Sequence, residues 1–338
     1  MFGSSNPYSQ PGETQVTLSV RSLRSTDHYN GSVEQLQRQT LQTYVVNTQN
    51  AIDLSINRTI TERLNLSLGI PYVAAAWGIP SPNTQPTPGP RAMENGRGVG
   101  DISFGGRFWV LPTSKYKSGN VSVGVGVKFP TGNEGYKDTY PNSAGLDNKP
   151  RFVDQSVQPG DGGWGLIFET QAFRRVPHAQ LFASATYLAN PRDSNETTSG
   201  GINRSVAQNP PINPDGTSYN SVPDSFLVRT GAALPLKAGF VASMAWRIEG
   251  LPRYDLFGES HGFRRPGVEM FIEPGISYAK GSQFVAFNVP MGYYRNRFPN
   301  PNTGNAGDAT FPKRIFLVSY GYRFAGKNGT TTDTALCQ

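Results

Sequence analysis

Apolar residues fall on every second position in segment after segment of this chain, and the links between those segments alternate strictly between short and long. In VSVGVGVKFP the large residues are Val121, Val123, Val125, Val127 and Phe129, with Ser122, Gly124, Gly126 and Lys128 between them. A period of two places one set on each face of a β-strand. Twelve such segments are predicted, near 14–27, 40–60, 62–74, 98–111, 119–130, 163–174, 179–190, 224–235, 238–250, 266–280, 282–294 and 313–324. RTITERL, PTSKYKSG, RRVPHAQ, PLKAG and AKGSQ make tight links. The other links span roughly 12 to 33 residues, far above the usual connection. Consecutive antiparallel strands put alternate links at opposite ends of a sheet, so one end is trimmed and the other carries all the large loops. That asymmetry predicts a single transmembrane antiparallel up-and-down β-barrel of about 12 strands, with short periplasmic turns and long extracellular loops.

Composition agrees. Charged residues are 16% of the 338, against about 25% in soluble domains. Mean hydropathy is −0.44, and no apolar run reaches the ~18 residues of a membrane helix. A barrel strand needs only ~9–11 alternating residues. The polar start, MFGSSNPYSQPG, has no apolar signal segment and reads as a tail, which divides the chain into a tail (1–13), a barrel (14–324) and a periplasmic C-terminal tail (325–338). The single cysteine, Cys337, rules out a disulfide within the chain. It lies in the C-terminal tail, which with the loops is the expected contact for a second copy or a partner protein. The formal charge of +7 is spread without a basic stripe, which argues against nucleic acid.

In a barrel the valine side of 121–129 faces lipid. Leu64 to Tyr72, Ile102 to Val110, Phe240 to Ile248, Val268 to Tyr278 and Phe316 to Phe324 supply similar alternating apolar rows. The opposite faces carry Asp53, Arg63, Asp101, Arg107, Lys128, Glu169, Arg229, Arg247, Glu249, Glu269, Glu273 and Arg323, about six of each sign. Such an interior is nearly neutral, and its charges are expected to pair and stiffen the wall or to meet solute. Aromatics near strand ends, among them Tyr72, Trp77, Trp164, Tyr187, Tyr293 and Tyr294 at the loop end and Phe108, Trp109 and Tyr278 at the turn end, suggest two interfacial girdles. The loops at 74–98 and 131–162 are expected to fold inward and narrow the pore.

Catalytic chemistry has little support. His28, His178 and His261 fall at different ends, and no HExxH, CxxC, GxSxG or phosphate-loop sequence occurs. No enzymatic activity, cofactor or metal is expected. Asp154 and Asp161, in VDQSVQPGDGGWG, offer oxygen ligands for calcium but lack the spacing of a known calcium loop, and a turn is the expected structure.

INRTITERLNLSLGIPYV (56–73), GVGDISFGGRFWVL (98–111), VSVGVGVKFPTGN (121–133), VQPGDGGWGLIF (157–168) and ATYLANPR (185–192) occur in an order that resembles the outer-membrane transporters grouped with the meta-pathway of phenol degradation. The resemblance covers about residues 45–192. It implies an outer-membrane barrel that passes small solutes, including hydrophobic or aromatic compounds, and supplies no catalytic residues. The chain departs from the common barrel ending, because AGKNGTTTDTALCQ follows the aromatic YGYRF. The expected function is a passive channel in the bacterial outer membrane. The alternative is a closed structural barrel that anchors a partner complex.

Overall fold

The computed structural model describes residues 9–80, 91–207 and 216–326. Twelve strands build the wall: β1 Thr14–Asn30, β2 Val46–Thr59, β3 Leu64–Pro80, β4 in two runs (Arg91–Val99 and Ser103–Trp109), β5 Gly119–Lys128, β6 Gly165–Val176, β7 Ala179–Ala189, β8 Ser225–Pro235, β9 Phe240–Leu251, β10 Gly267–Lys280, β11 in two runs (Gln283–Asn288 and Met291–Arg297) and β12 Ala309–Phe324. Each pairs antiparallel with the next. β12 returns to β1 from Thr14↔Phe324 to Tyr29↔Ala309, so the sheet closes and leaves no edge. The twelve predicted segments are these twelve strands.

The links alternate as the spacing predicts. Turns at 60–63, 110–118, 177–178, 236–239 and 281–282 close one end, and the loops at 31–45, 129–164, 190–224, 252–266 and 298–308 lie at the other. The predicted inward loop at 74–98 is mostly strand instead. β3 and β4 stay paired from Tyr72↔Val99 out to Pro80↔Arg91, and the part of this link at 81–90 lies outside the described residues. Above a bilayer the outer face of a hairpin need not be apolar, so AAAWG and RAMENGRG carry no clean period. β2 starts at Val46 rather than near 40, because Leu36–Thr40 forms a helical turn.

Facing follows the pleat. In β5, Val121, Val123 and Val125 are 45%, 53% and 64% exposed, whereas Ser122 and Lys128 are 0% and 6% exposed. Val127 and Phe129 are half-buried, and Phe129 packs edge-on against Trp164 with ring centroids 5.0 Å apart. Leu18, Val20, Ile52, Phe104, Leu181, Met244, Ile276, Phe316 and Val318 extend the exposed apolar surface around the barrel. A continuous band of this kind is an aggregation surface in water and the normal exterior of a barrel in lipid.

Three expected placements are corrected. Trp109 is 2% exposed and packs edge-on against Phe173 at 5.9 Å, so it fills the barrel rather than a lipid girdle. Trp77 shares the inner row of β3 with Val73 and Ala75. Arg63 lies in the turn after β2, with its guanidinium 5.7 Å from the centre of the outward Phe108 ring, and not on the inner wall. For the two tryptophans the pleat outweighs residue type, and for Arg63 the strand begins one residue later, at Leu64.

Candidate functional site

Ionic side chains on the inner rows of the wall meet across strands. Arg107 on β4 and Glu169 on β6 are 2.5 Å apart. Both align with Gly124 on the intervening β5, and with no side chain there they reach each other over its backbone. Arg229 on β8 reaches Glu273 on β10 at 2.7 Å across β9. Arg247 lies 3.6 Å from the same Glu273 and donates to Glu249 at 3.0 Å. Glu269 on β10 pairs with Arg295 on β11 at 2.9 Å. At the turn end Arg323 lies 3.9 Å from Glu13 and donates to Gln15 at 3.3 Å. Asp53, on β2, has no ion pair among the described residues. Arg21, Arg295, Arg297 and Glu13 also face the interior and escaped the sequence reading. Arg21 shares the odd-numbered inner row of β1 with Gln15 and Thr17, and Glu13, one residue before β1, continues that row, so parity was the available signal.

The loop at 129–164 folds back over the mouth. Its hairpin, Lys137–Tyr140 against Lys149–Phe152, leads into Val153 and Val157. Both are fully buried against Ala75 of β3, with Val73, Trp77 and Tyr136 around them. Ser156 accepts a hydrogen bond from Asn47 at 3.1 Å, and Gln49 donates to the Ser156 carbonyl at 2.9 Å. Gly96 on β4 has no Cβ because a Cβ there would stand 2.0 Å from the Val157 carbonyl oxygen. The inward folding expected for residues 131–162 is therefore seated on β2, β3 and β4.

Salt bridges pin this cap. Asp154 takes both terminal nitrogens of Arg265 at 2.8 and 2.6 Å, and its own amide donates to Glu94 at 2.6 Å. Burial pushes the Asp154 carboxyl up, but the Arg265 charge and hydrogen bonds outweigh it and hold the group below the usual carboxylate range. Arg204, from the loop at 190–224, contacts Glu94 and lies over Trp77, 4.2 Å from the ring centre. Lys128 contacts Asp161 and lies 3.5 Å from Asp101. Asp101 sits in the break of β4, where it accepts the Gly132 amide at 2.9 Å. Asp154 and Asp161 are thus committed to cations and hydrogen bonds of the protein, not arranged as a calcium loop.

The rim is tied down elsewhere too. Asp224 accepts from the Tyr187 hydroxyl at 2.7 Å and from the Asn190 and Leu256 amides at 2.6 and 2.7 Å. Arg264 grips Asp255 at 2.5 and 2.6 Å. The Val45 amide donates to His28 Nε2 at 2.7 Å, which leaves the ring proton on Nδ1, 2.6 Å from Asp308. Burial raises the Asp308 carboxyl, while His28 and Arg38 outweigh that and hold it below the ordinary range. Asp193, Glu259 and His261 bring donor atoms within 4.8 Å of one another, on the outer surface of two loops, where Glu259 and His261 are solvated.

Beneath the cap lies a cavity of about 510 Å³, roofed by Gln155, Ser156, Gln158 and Asp161. A second cavity of about 380 Å³ adjoins it, and the two share Arg21, Leu188, Ser225, Glu249, Gly250 and Leu251. Both are within the range that holds a small molecule.

No protein-family model matches the chain. Among solved structures, it is similar to the CymD monoaromatic hydrocarbon channel (TM-score 0.40, 11% identity, 93% of this chain and 89% of that one). It is also similar to the Ralstonia pickettii toluene transporter TbuX (TM-score 0.43, 10% identity, 95% and 91%). The COG4313 outer membrane channel from Pseudomonas putida F1 superposes with a TM-score of 0.60 at 9% identity, over 95% of this chain and 100% of that one. The last likeness extends over the whole barrel, and the fold of this chain is that of a closed twelve-strand outer-membrane β-barrel.

Proposed function

We propose that the protein is a passive channel of the bacterial outer membrane for small solutes with an apolar body, aromatic compounds among them. The observation that carries the reading is the cavity under the cap, lined by Trp77, Leu23, Leu188 and Leu251 beside ionic groups. A wall built only for rigidity has no need of a lined chamber. The fold shared with the Pseudomonas putida channel supports the same reading, as does the resemblance of residues 45–192 to the phenol-pathway transporters. On this reading Asp53, Asp101, Arg107, Lys128, Glu169, Arg229, Arg247, Glu249, Glu269, Glu273 and Arg323 form the inner wall. All of these but Asp53 are paired with an opposite charge, which leaves the pore weakly selective for simple ions.

The full burial of Val153 and Val157 against β3 favours one competing reading, a barrel closed by its own loop that anchors a partner. Proteoliposome swelling separates the two. A channel admits a single-ring solute such as benzamide faster than protein-free vesicles do and excludes raffinose. A closed barrel leaves both rates at the protein-free level.

A further inference from the structure

Arg21 projects from β1 into the lumen and lines both cavities. It has no hydrogen bond, ion pair or ring contact among the described residues, and it is only half-buried. Every carboxylate that lines either cavity has a cationic partner, with Asp101 and Asp161 sharing one. Glu249 meets Arg247, Glu269 meets Arg295, Asp101 and Asp161 meet Lys128, and Asp308 meets Arg38 and His28. Among the cations, Arg265 is neutralised by Asp154. Arg297 donates to the carbonyls of Pro266 and Arg264 rather than to an acid. Asp101 and Asp161 share the single Lys128, so one net positive charge remains in the chamber, and Arg21 and Arg297 are its cations without an ion pair among the described residues.

The nearest acid on the same wall does not cancel it. Asp53 aligns with Ser19, whereas Arg21 aligns with Ala51. Asp53 thus lies two positions nearer the turn end, forms no ion pair with Arg21, and lines neither cavity. A guanidinium left free in a chamber of restricted water has five donors in a planar fork, the geometry that matches a carboxylate. Around it stand Leu188, Leu251, Ile167, Leu23 and Trp77.

We infer that Arg21 is the solute-contacting cation of the channel and that the preferred solutes are small organic monocarboxylates with an apolar body. The carboxylate takes the fork of Arg21, and the ring or alkyl part lies on the leucines and Trp77. This inference rests on the channel reading and names its substrate class.

Benzoate, benzamide and benzamidinium share one ring and nearly one shape and carry charges of −1, 0 and +1. Calorimetric titration of each into purified protein in detergent, with empty micelles subtracted, reads the preference directly. Wild type binds benzoate about tenfold more tightly than benzamide, the size expected for one charge-assisted hydrogen-bonded contact, and benzamidinium more weakly still. In Arg21→Gln the benzoate advantage falls to about one while benzamide affinity is kept, and Arg21→Lys retains part of it. Retained heat-modifiable mobility in both variants shows that the barrel still folds. Equal affinity for all three probes, or an advantage that survives Arg21→Gln, overturns the assignment of Arg21. That result leaves the channel standing if benzamide still enters vesicles. Absence of binding by any probe, with swelling at the protein-free rate, overturns both.

Discussion

Arg107 and Glu169 lie on strands separated by a third, yet their side chains are 2.5 Å apart, because the residue between them in register is Gly124. Both are almost fully buried. Breaking such a pair strands one charge, at a cost of about 3–5 kcal/mol. Arg107→Ala is expected to lower the urea midpoint of the folded barrel in lipid vesicles substantially. The double change Arg107→Met with Glu169→Met is expected to recover most of the loss. Gly124→Val acts like the single change, since its side chain stands between the partners. A double mutant no more stable than Arg107→Ala would count against the pairing.

Gly96 makes room for the Val157 carbonyl. Gly96→Leu is expected to lift the cap off β3 and β4 while leaving the membrane-embedded wall intact. The readouts are a higher single-channel conductance in planar bilayers and faster proteolysis within 129–164. Unchanged conductance and unchanged proteolysis would mean that the cap is held without this contact.

The cap and rim are expected to loosen in acid. Asp154 and Asp308 both have lowered carboxyl pKa values in the folded protein. A lowered value contributes stability that is fully present above the unfolded carboxylate range, about 4. It is lost as pH falls through the folded value. Arg265 stays charged throughout. Conductance is therefore expected to be flat from pH 8 to about 5 and to rise below about 4. Asp154→Asn is expected to show the raised level already at neutral pH. A wild-type profile flat down to pH 3 would contradict this.

Val125 is 64% exposed near the middle of β5. An arginine there meets hydrocarbon at a cost of about 2–4 kcal/mol near the bilayer midplane. Val125→Arg is expected to reduce the yield of heat-modifiable barrel in refolding. Gly126→Ser, on the opposite face of the same strand, is expected to refold normally. Equal yields from the two would remove the distinction between the faces.

Much of this architecture was legible in the sequence, because lipid enforces an apolar residue at every second position and a closed barrel forces links to alternate ends. The limits have physical causes. Beyond the bilayer that enforcement stops, so the extension of β3 and β4 toward Pro80 and Arg91 left no periodic trace. Trp77 and Trp109 were placed by residue type, although their parity with Val73 and Arg107 already put them inside. The inner charges were readable one strand at a time, but their partners were not. Arg107 and Glu169 are 62 positions apart, and only register brings them together. The inward facing of Arg21 was readable from parity on β1, but its lack of an ionic partner shows only once the cross-strand pairs are known.

The central claim is that hydrocarbon covers the valine side of β5 and water the other. Spin labels placed singly at each position from Val121 to Lys128 test it most directly, with Cys337 replaced by serine and the protein reconstituted in vesicles. Labels at 121, 123, 125 and 127 should relax with dissolved oxygen and be shielded from a water-soluble nickel complex. Labels at 122, 124, 126 and 128 should not show that preference for oxygen. Loss of this two-residue alternation, or nickel access at the valine positions, would contradict the account.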